Sequence, residues 1–279
     1  MLLLNLEMKT DKFIDIRKLI GNKNPKLLKL LPGFVINYLK RVLHEDEVNH
    51  VISIYKESVN EDFCHNVIDY FNIDLSIEGI ENIPTEGGVT LVMNHPLGGM
   101  DAMALVSALK HHRTDLRFIV NDILLHLDNL KGMFVGVNKH GKTSNSNLMK
   151  IDEIFSLGKA VCIFPAGLVS RKNNGKVRDL PWKKTFVSLS LKHDQPIVPI
   201  FIDGELSNFF YRLSNFRKAI GIKANIEMFY LADELFKQKN KKMKIIVGKP
   251  ILPMQLDKTK SQHQWATWIQ DKVYSLSNK

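Results

Sequence analysis

The hydrophobic pattern divides the chain into two parts of different character. Residues 1–75 are predicted to be mainly helical, because apolar residues recur there at helical spacing: Leu31, Phe34, Val35, Tyr38 and Val42. These five positions share one face of a predicted helix over 31–43, and Lys40 and Arg41 lie off that face. We expect the apolar face to pack inside the protein, with contact to a membrane surface as the alternative.

From residue 76 onward, short apolar runs alternate with helix-length segments. The predicted buried strands are 88–94, 116–121, 133–137, 160–165, 196–202 and 243–250. The predicted helices are 101–112, 146–157, 183–192, 205–219 and 262–276. This alternation predicts an α/β domain over 76–279, with a central mostly parallel or mixed sheet flanked by helices, behind a helical N-terminal region over 1–75. The boundary is placed in the Pro/Gly-rich stretch "IDLSIEGIENIPTEGG".

The composition is that of a globular protein with an excess of positive charge. Of 279 residues, 44% are hydrophobic, and 39 Lys and Arg outnumber 29 Asp and Glu to give a net charge of +10. Such a charge favours anionic partners, which include nucleic acid, an anionic membrane surface and phosphorylated or carrier-bound substrates. No RNA- or DNA-binding motif is present, so nucleic acid is not expected as a partner.

Cysteine usage and the N-terminal sequence exclude several classes of protein. The two cysteines, Cys64 and Cys162, show no zinc-type spacing, so neither a disulfide framework nor a metal site is expected. Cys162 lies in the apolar run "AVCIF", which predicts a buried, inert thiol. The opening "MLLLNLEMKT" lacks the features of a signal peptide, and no stretch of about 18 apolar residues predicts a membrane span. We therefore expect a cytoplasmic protein that contacts a membrane only at its surface.

The stretch "VMNHPLGGMD" carries the first candidate chemistry. His95 directly follows an apolar run, Gly98 and Gly99 allow a sharp turn, and Asp101 precedes a helical pattern. A histidine can accept a proton from a hydroxyl group, and a carboxylate on its other ring nitrogen fixes the tautomer. The alternative is a capped turn, in which Asp101 is an ordinary carboxylate at a helix start and His95 a loop histidine. The spacing by itself leaves both interpretations open.

Two further stretches give the first one a context. "VCIFPAGLVSRK" is an apolar strand followed by a Pro/Gly turn and basic residues, and "QPIVPIFIDG" is a later strand with two prolines. In this order, "NHPLGGMD", "FPAGLVSR" and "IVPIFI" resemble three motifs of the glycerolipid acyltransferases related to bacterial lysophosphatidate acyltransferase. Those motifs are Asn-His-x4-Asp, Phe-Pro-Glu-Gly-Thr-Arg-Ser and a segment centred on Val-Pro-Ile. The resemblance covers residues 76–250 and depends on the ordered set, because each motif alone is weak.

The resemblance implies direct acyl transfer from acyl-carrier protein or acyl-CoA to the hydroxyl of a lyso-lipid, at the cytoplasmic face of an anionic membrane. His95 would be the general base and Asp101 would orient it, with no metal, cofactor or covalent enzyme intermediate. Backbone N–H groups near three glycines are candidates for stabilising the oxyanion: Gly98, Gly99 and Gly167. The candidate substrate-binding residues are Asn94, Phe164, Pro165, Ser170, Arg171, Lys172 and Lys139.

The departures from the family pattern bear on the acceptor. Five residues separate His95 from Asp101, one more than usual, and this "HPLGGMD" turn resembles the haemolysin-like or lyso-ornithine-lipid acyltransferase branch. The Glu, Thr and Arg of the third motif, and the Arg of the second, are replaced by Ala166, Leu168, Val169 and Val137. Two arginines expected to bind a glycerol phosphate are therefore missing. A lyso-amino-acid lipid is then at least as good an expectation as lysophosphatidate, unless Arg171, Lys172 and Lys139 substitute for them.

Two alternatives remain beside this hypothesis. The basic stretch "SRKNNGKVRDLPWKK" is either a solvated loop or a site for an anionic headgroup, and Trp182 within it is either packed or at a membrane interface. The whole chain could also be a basic peripheral binding protein for membrane or nucleic acid, built on an acyltransferase fold that has lost its activity. The presence of both His95 and Asp101 argues against that loss.

Overall fold

A computed structural model describes residues 12–120, 127–136, 145–173 and 175–278 of the chain. The chain separates into two compact units that divide after Lys56. The change of hydrophobic pattern had placed the boundary near residue 75, about one helix later. The difference arises because the helix over 60–70 packs against the helix over 99–109, which belongs to the sheet-containing unit. The boundary between structural units depends on which helices and strands contact each other. A sequence pattern predicts only whether each segment is a helix or a strand.

In its described part, the first unit contains four helices: α1 (Ile16–Lys23), α2 (Pro25–Leu30), α3 (Gly33–Val42) and α4 (Glu45–Ile54). The side chains of Asp15 and Asn24 accept backbone N–H groups at the starts of α1 and α2. Such caps satisfy donors that the helix itself leaves unpaired. The buried Glu45 accepts the backbone N–H of Ile16 at 3.0 Å and pairs with Lys40 at 2.9 Å.

The apolar face predicted for residues 31–43 is only partly buried. Ile36 and Val42 of α3 are buried, whereas the side chains of Phe34 and Tyr38 are 74% and 42% exposed. The expectation that the whole face packs inside the protein is therefore wrong for Phe34 and Tyr38. Of the buried residues of α3, Val42 belongs to the predicted face and Ile36 does not, so helical spacing alone could not show which side of the helix meets a neighbour.

The second unit contains the remaining helices and the strands of the described chain. The helices are α5 (Asn60–Tyr70), α6 (Gly99–Leu109), α7 (Asn145–Ser156), α8 (Thr185–Lys192), α9 (Asn208–Ala219), α10 (Leu231–Phe236) and α11 (Gln262–Ser275). The strands are β1 (Asp74–Glu78), β2 (Val89–Met93), β3 (Leu116–Val120), β4 (Phe134–Gly136), β5 (Ala160–Ile163), β6 (Arg171–Asn173), β7 (Lys176–Arg178), β8 (Ile197–Ile202) and β9 (Lys242–Val247). Positions 121 and 137, at the ends of two predicted strands, lie outside the described residues.

Seven of the described strands form one sheet in the order β1-β9-β8-β2-β5-β3-β4. All neighbouring pairs are parallel except β8 and β9, which are antiparallel. The predicted α/β fold with a mostly parallel sheet is thereby confirmed. Strand β2 is central, buried at all five residues, and flanked by β5 and β8. Because these three strands are parallel, their carboxyl ends meet at one edge of the sheet, where the loops of a functional site gather.

Strands β6 and β7 form a separate antiparallel hairpin directly after the motif "FPAGLVS". The basic stretch had been interpreted as either a loop or an anion site, and no pattern in it indicated a hairpin. Its two strands have only three residues each, and the turn between them includes Gly175 at φ +77°. The two strands contain only one apolar residue, Val177, so they lack the period-2 hydrophobic pattern on which strand prediction depends.

Candidate active site

Asn94 fixes the end of β2 just before the candidate base. Its side-chain amide donates to the carbonyl of Ile202 at 2.8 Å, and its side-chain oxygen accepts the N–H of Ile202 at 2.7 Å. The two bonds join the ends of β2 and β8 where the regular ladder stops. Asn94 is 2% exposed. Although Asn94 was a candidate for substrate binding, its amide has a structural position in which it anchors the start of the turn from His95 to Asp101.

The turn from His95 to Asp101 depends on one glycine and one buried leucine. Gly98 has φ +73° and ψ −131°, a conformation that residues with a side chain rarely adopt, and α6 starts immediately after it. Leu97 is buried and lies against Gly204, where an added Cβ would come within 2.7 Å of a Leu97 methyl carbon. This packing folds the chain back on itself and returns Asp101 to His95.

His95 and Asp101 form a hydrogen-bonded pair. Asp101 Oδ2 lies 2.8 Å from His95 Nδ1, and the N–H of Leu97 donates to both carboxylate oxygens at 3.0 and 3.2 Å. With Asp101 as acceptor, the neutral imidazole carries its proton on Nδ1, which leaves Nε2 as the basic nitrogen. Nε2 has no hydrogen-bond partner among the described residues, and the His95 side chain is 19% exposed. The pair therefore has the geometry of an oriented general base.

The electrostatics of this pair follow from burial. The Asp101 carboxyl is fully buried, which raises its pKa above the ordinary value, and the hydrogen bonds from His95 and Leu97 oppose that rise. A buried carboxylate stabilises a positive charge beside it more strongly than an exposed carboxylate does. Proton uptake by His95 creates that charge, because an imidazolium can then pair with Asp101 in surroundings of low dielectric constant.

The "FPAG" turn covers one face of the histidine. The ring of Phe164 stacks on His95 with centroids 4.0 Å apart and an interplanar angle of 25°. Pro165 is buried, and its carbonyl accepts the N–H of Lys183 at 3.2 Å. The N–H of Gly167 donates to the carbonyl of Phe164 at 2.9 Å. Because that N–H is used within the turn, the structure does not offer Gly167 as an oxyanion donor.

The start of α6 is the remaining candidate for oxyanion stabilisation. The backbone N–H groups of Gly98 and Gly99 donate to no described residue, and they lie next to the His95 turn at the positive end of the helix dipole. Gly99 is exposed whereas Gly98 is buried. Two free N–H groups at a helix start suit an oxyanion that develops during acyl transfer.

Asp179 is a site residue that sequence reasoning missed. One carboxylate oxygen of Asp179 accepts the backbone N–H of His95 at 3.2 Å and the hydroxyl of Ser170 at 2.5 Å. The other accepts Trp182 Nε1 at 2.9 Å, and the N–H of Ser170 donates to the His95 carbonyl at 2.8 Å. Ser170, a substrate-binding candidate, is thus buried and helps to hold His95. Asp179 lies 84 residues from His95 within a basic stretch, so no local signal marked it.

Burial raises the pKa of Asp179, and its hydrogen bonds from Ser170 and Trp182 oppose the rise. Trp182 is 4% exposed, which confirms the packed interpretation and not the membrane-interface alternative. Asp179 therefore belongs to a buried network that fixes the main chain of His95, while Asp101 fixes its ring.

The cationic candidates are not gathered around His95. The guanidinium of Arg171 is 1% exposed and donates to Glu227 at 2.9 Å and to the carbonyl of Val169 at 2.6 Å. Lys172 pairs with Glu205 at 3.1 Å, and Lys139 and Val137 lie outside the described residues. Arg171 thus holds the hairpin in place, in contrast to the expectation that it meets a substrate.

Other chemistry is limited in the described part of the chain. The described residues contain no group of three or more His, Cys, Asp and Glu side chains arranged to hold a metal ion. Among the helices that the structure describes, none is long and apolar enough to cross a membrane. Cys64 and Cys162 are both buried, and burial raises the pKa of the Cys64 thiol to about 12. Burial also raises the pKa of Cys162, in agreement with the predicted inert thiol.

A buried carboxylate that orients a histidine, beside a helix start at the carboxyl edge of a mostly parallel sheet, has the geometry expected of a general-base site in an acyltransferase. A family model described as Acyltransferase matches residues 18–279, and the chain belongs to that family. It is an acyltransferase of the glycerolipid acyltransferase superfamily, as the motif resemblance had implied.

Two relatives and one solved structure agree with this assignment. The lyso-glycine lipid O-acyltransferase of Bacteroides thetaiotaomicron is 41% identical over 264 residues, which are 94% of this chain and 97% of the relative. The enzyme of the same name from Phocaeicola vulgatus is also 41% identical over 264 residues, 94% and 95% of the two chains. The crystal structure of the 1-acyl-sn-glycerophosphate (LPA) acyltransferase PlsC from Thermotoga maritima matches with a TM-score of 0.52. It is 18% identical, covers 88% of this chain and 90% of that one, and supports the fold.

Proposed function

We propose that this protein transfers a fatty acyl group from a thioester to the hydroxyl of a lyso-lipid, and that the acceptor is a lyso-glycine lipid. The observation that carries the proposal is the 2.8 Å contact between His95 Nδ1 and Asp101, which leaves Nε2 as the base. Similarity over nearly the whole chain to two lyso-glycine lipid O-acyltransferases supports this acceptor.

The chemistry proceeds without a covalent enzyme intermediate. His95 Nε2 removes the proton of the acceptor hydroxyl as the oxygen attacks the thioester carbonyl, and Asp101 stabilises the imidazolium that forms. The carbonyl oxygen becomes an oxyanion facing the N–H groups of Gly98 and Gly99. When the tetrahedral intermediate collapses, the C–S bond breaks and the imidazolium returns its proton to the departing thiolate. The products are an ester and a free thiol, and His95 is again neutral.

The pairing of Arg171 with Glu227 supports the proposed acceptor. A phosphomonoester headgroup is commonly bound by a bidentate arginine, but here Glu227 already occupies this guanidinium. The arrangement favours an acceptor whose headgroup is not a phosphomonoester. Lysophosphatidate is the second candidate, supported by the fold shared with PlsC.

The acyl donor and the cellular location belong to the same proposal. The donor is acyl-carrier protein or acyl-CoA as a co-substrate, with no bound cofactor, and the reaction takes place on the inner face of the cell membrane. The net charge of +10 supports contact with an anionic surface. The first unit supports it as well, since Leu30 and Phe34 are 79% and 74% exposed near Lys26 and Lys29.

The test is an assay of the purified full-length chain with acyl-CoA and acyl-carrier protein as donors. Lyso-glycine lipid and lysophosphatidate are offered as separate acceptors, and the diacyl product is measured by mass spectrometry. We expect product with lyso-glycine lipid, none above background for His95→Ala, and wild-type rates for the control variant at the exposed His111, His111→Ala.

Faster acylation of lysophosphatidate would contradict the proposed acceptor while leaving the chemistry intact. Undiminished product from His95→Ala would contradict the mechanism. Absence of product from the wild-type chain with both acceptors and both donors would contradict the function.

A further inference from the structure

An exposed apolar surface lies on α9 and on the segment that follows it. We name it the α9 surface, and its apolar members, each 38% to 62% exposed, are Phe209, Phe216, Ile220, Ile222 and Phe229. Phe209, Phe216 and Ile220 are seven and four positions apart and therefore share one face of α9 and its C-terminal cap. Large apolar side chains grouped in this way on a water-facing surface mark a contact site.

Within residues 207–230, the exposed charged side chains are all positive. Arg212, Lys218 and Lys223 are exposed, and none of them forms an ion pair with a described residue. Within residues 207–230, all of which the structure describes, the only acidic residue is Glu227. Glu227 is fully buried and pairs with Arg217 and Arg171. The exposed part of the segment therefore combines apolar side chains with unpaired positive charges. This combination is complementary to a lipid bilayer with anionic headgroups.

This segment and the start of α10 are linked to the turn from His95 to Asp101 by buried contacts. Glu227 binds Arg171, which follows Ser170, and Ser170 donates its N–H to the carbonyl of His95. On the other side, an added Cβ on Gly98 would come within 3.6 Å of Leu231, at the start of α10. The segment that carries the α9 surface is thus linked to His95 through Glu227, Arg171 and Ser170, and the adjoining Leu231 lies next to Gly98.

We infer that the α9 surface is where the sheet-containing unit docks on an anionic lipid bilayer. The inference rests on the proposed transfer to a lyso-lipid, whose acyl chain holds the acceptor hydroxyl at the bilayer surface. To reach this hydroxyl, His95 must lie close to the headgroup layer. A membrane-binding surface near His95 would hold it there. Phenylalanine and isoleucine side chains insert at the headgroup boundary, while lysine and arginine are attracted to anionic lipid.

Vesicle binding by the full-length chain tests the docking site. Vesicles of phosphatidylcholine with and without phosphatidylglycerol are used in sedimentation assays. The charge variant Lys218→Gln/Lys223→Gln should partition about thirtyfold more weakly onto the anionic vesicles, because each surface lysine contributes roughly a factor of five. Its matched control is Lys249→Gln/Lys258→Gln, two exposed lysines outside the segment, which should bind within about twofold of wild type after the loss of the same net charge.

The apolar variant is Phe216→Ser/Phe229→Ser, matched by Leu252→Ser/Met254→Ser, whose side chains are 47% and 82% exposed elsewhere. The apolar variant should lose about tenfold or more in partitioning, and its control should change little. Binding by both α9-surface variants that equals wild-type binding would overturn the inference. So would loss of self-association in these variants, measured by analytical ultracentrifugation, without loss of vesicle binding, since a second copy of the chain would then be the occupant.

Activity separates this inference from the proposed function. With acceptor presented in anionic vesicles and in detergent micelles, the ratio of the two rates should fall about tenfold or more for both variants, because only vesicles require docking. An unchanged ratio would overturn the inference even if acyl transfer is established. A wild-type chain that binds anionic vesicles through the α9 surface but acylates no lyso-lipid would instead refute the proposed function and leave the docking site standing.

Discussion

The substitution Asp101→Asn separates the two roles that Asp101 holds in the structure. The carboxylate accepts the N–H of Leu97, which fixes the start of α6, and it also accepts Nδ1–H of His95. Asparagine is as good as aspartate at satisfying backbone N–H groups near a helix start, so the turn should persist. The negative charge is lost, however, and one oxygen of the carboxylate becomes an NH2 group. If the NH2 group takes the place of Oδ2, it faces His95 Nδ1. If it takes the place of Oδ1, it faces the N–H of Leu97, which can still donate to the oxygen at the other position.

The size of the effect follows from what the charge does. If the NH2 group faces His95, Nδ1 must become the acceptor and the proton moves to Nε2, so the ring no longer acts as a base. If the oxygen faces His95, the imidazolium formed during proton transfer lacks its counter-charge in a fully buried site. Both cases remove the general-base contribution, which is about 10²- to 10⁴-fold in kcat. This corresponds to a barrier higher by about 3 to 5 kcal/mol.

Asp101→Asn should lower activity but leave the free energy of unfolding unchanged or higher. The pKa of Asp101 is raised by burial, so its ionised form is disfavoured in the folded state relative to the unfolded chain. Ionisation therefore costs folding free energy at neutral pH, and the neutral amide avoids that cost. We expect the Tm of Asp101→Asn to equal or exceed that of the wild type at pH 7, where an ordinary loss of structure would lower it.

The assay is product formation by mass spectrometry at saturating donor, with thermal unfolding followed on the same samples. The matched control is Asp115→Asn, because Asp115 pairs with Arg113 before β3 and lies away from His95. Activity of Asp101→Asn within about threefold of wild type, with Tm preserved, would refute the reasoning and restore the capped-turn interpretation.

The remaining predictions concern the turn and the buried ion cluster. Gly98→Ala should destabilise the fold by about 1 to 3 kcal/mol and lower kcat, because φ +73° and ψ −131° are strained for alanine; a urea-unfolding midpoint equal to wild type would contradict this. Burial by itself would raise the pKa of Glu227, but hydrogen bonds from Arg217 and the charges of Arg217 and Arg171 lower it below 4.5. The stability that ionised Glu227 supplies through these arginines is therefore present above the ordinary glutamate pKa. It is lost as the pH falls through the lowered pKa of Glu227. Glu227→Gln should lower Tm at pH 7, with a smaller Tm decrease on acidification than wild type shows; parallel Tm curves against pH would contradict the assignment.

Much of the fold follows from local patterns. Strands β5 and β8 are uninterrupted apolar runs and β2 is interrupted only by Thr90, and such runs between helices are typical of buried parallel strands. The helix predicted at 101–112 is α6, although it begins at Gly99 because the backbone conformation of Gly98 starts it. The boundary of the first unit was not predictable, since the helix over 60–70 looks like its predecessors and differs only in its packing partner.

The candidate site shows the same division. His95 and Asp101 are separated by one turn, so their contact is local and the sequence could pair them. Phe164 could be placed nearby because β2 and β5 end at the same edge of a parallel sheet, although the stacking of its ring on His95 could not. By contrast, Asp179 reaches His95 across 84 residues and lacks any motif.

For this protein, the sequence by itself determined the fold class, the acyltransferase resemblance and the expectation that His95 meets Asp101, because each of these depends on short-range periodicity or ordered motifs. The tertiary structure alone decided the roles of the surrounding residues. It pairs Arg171 with Glu227, uses Asn94 and Ser170 as buried anchors, and leaves Phe209 and Phe216 of α9 exposed. The physical reason is that a side chain's role depends on which long-range partner desolvates or pairs it, and that partner is chosen by packing across the whole domain.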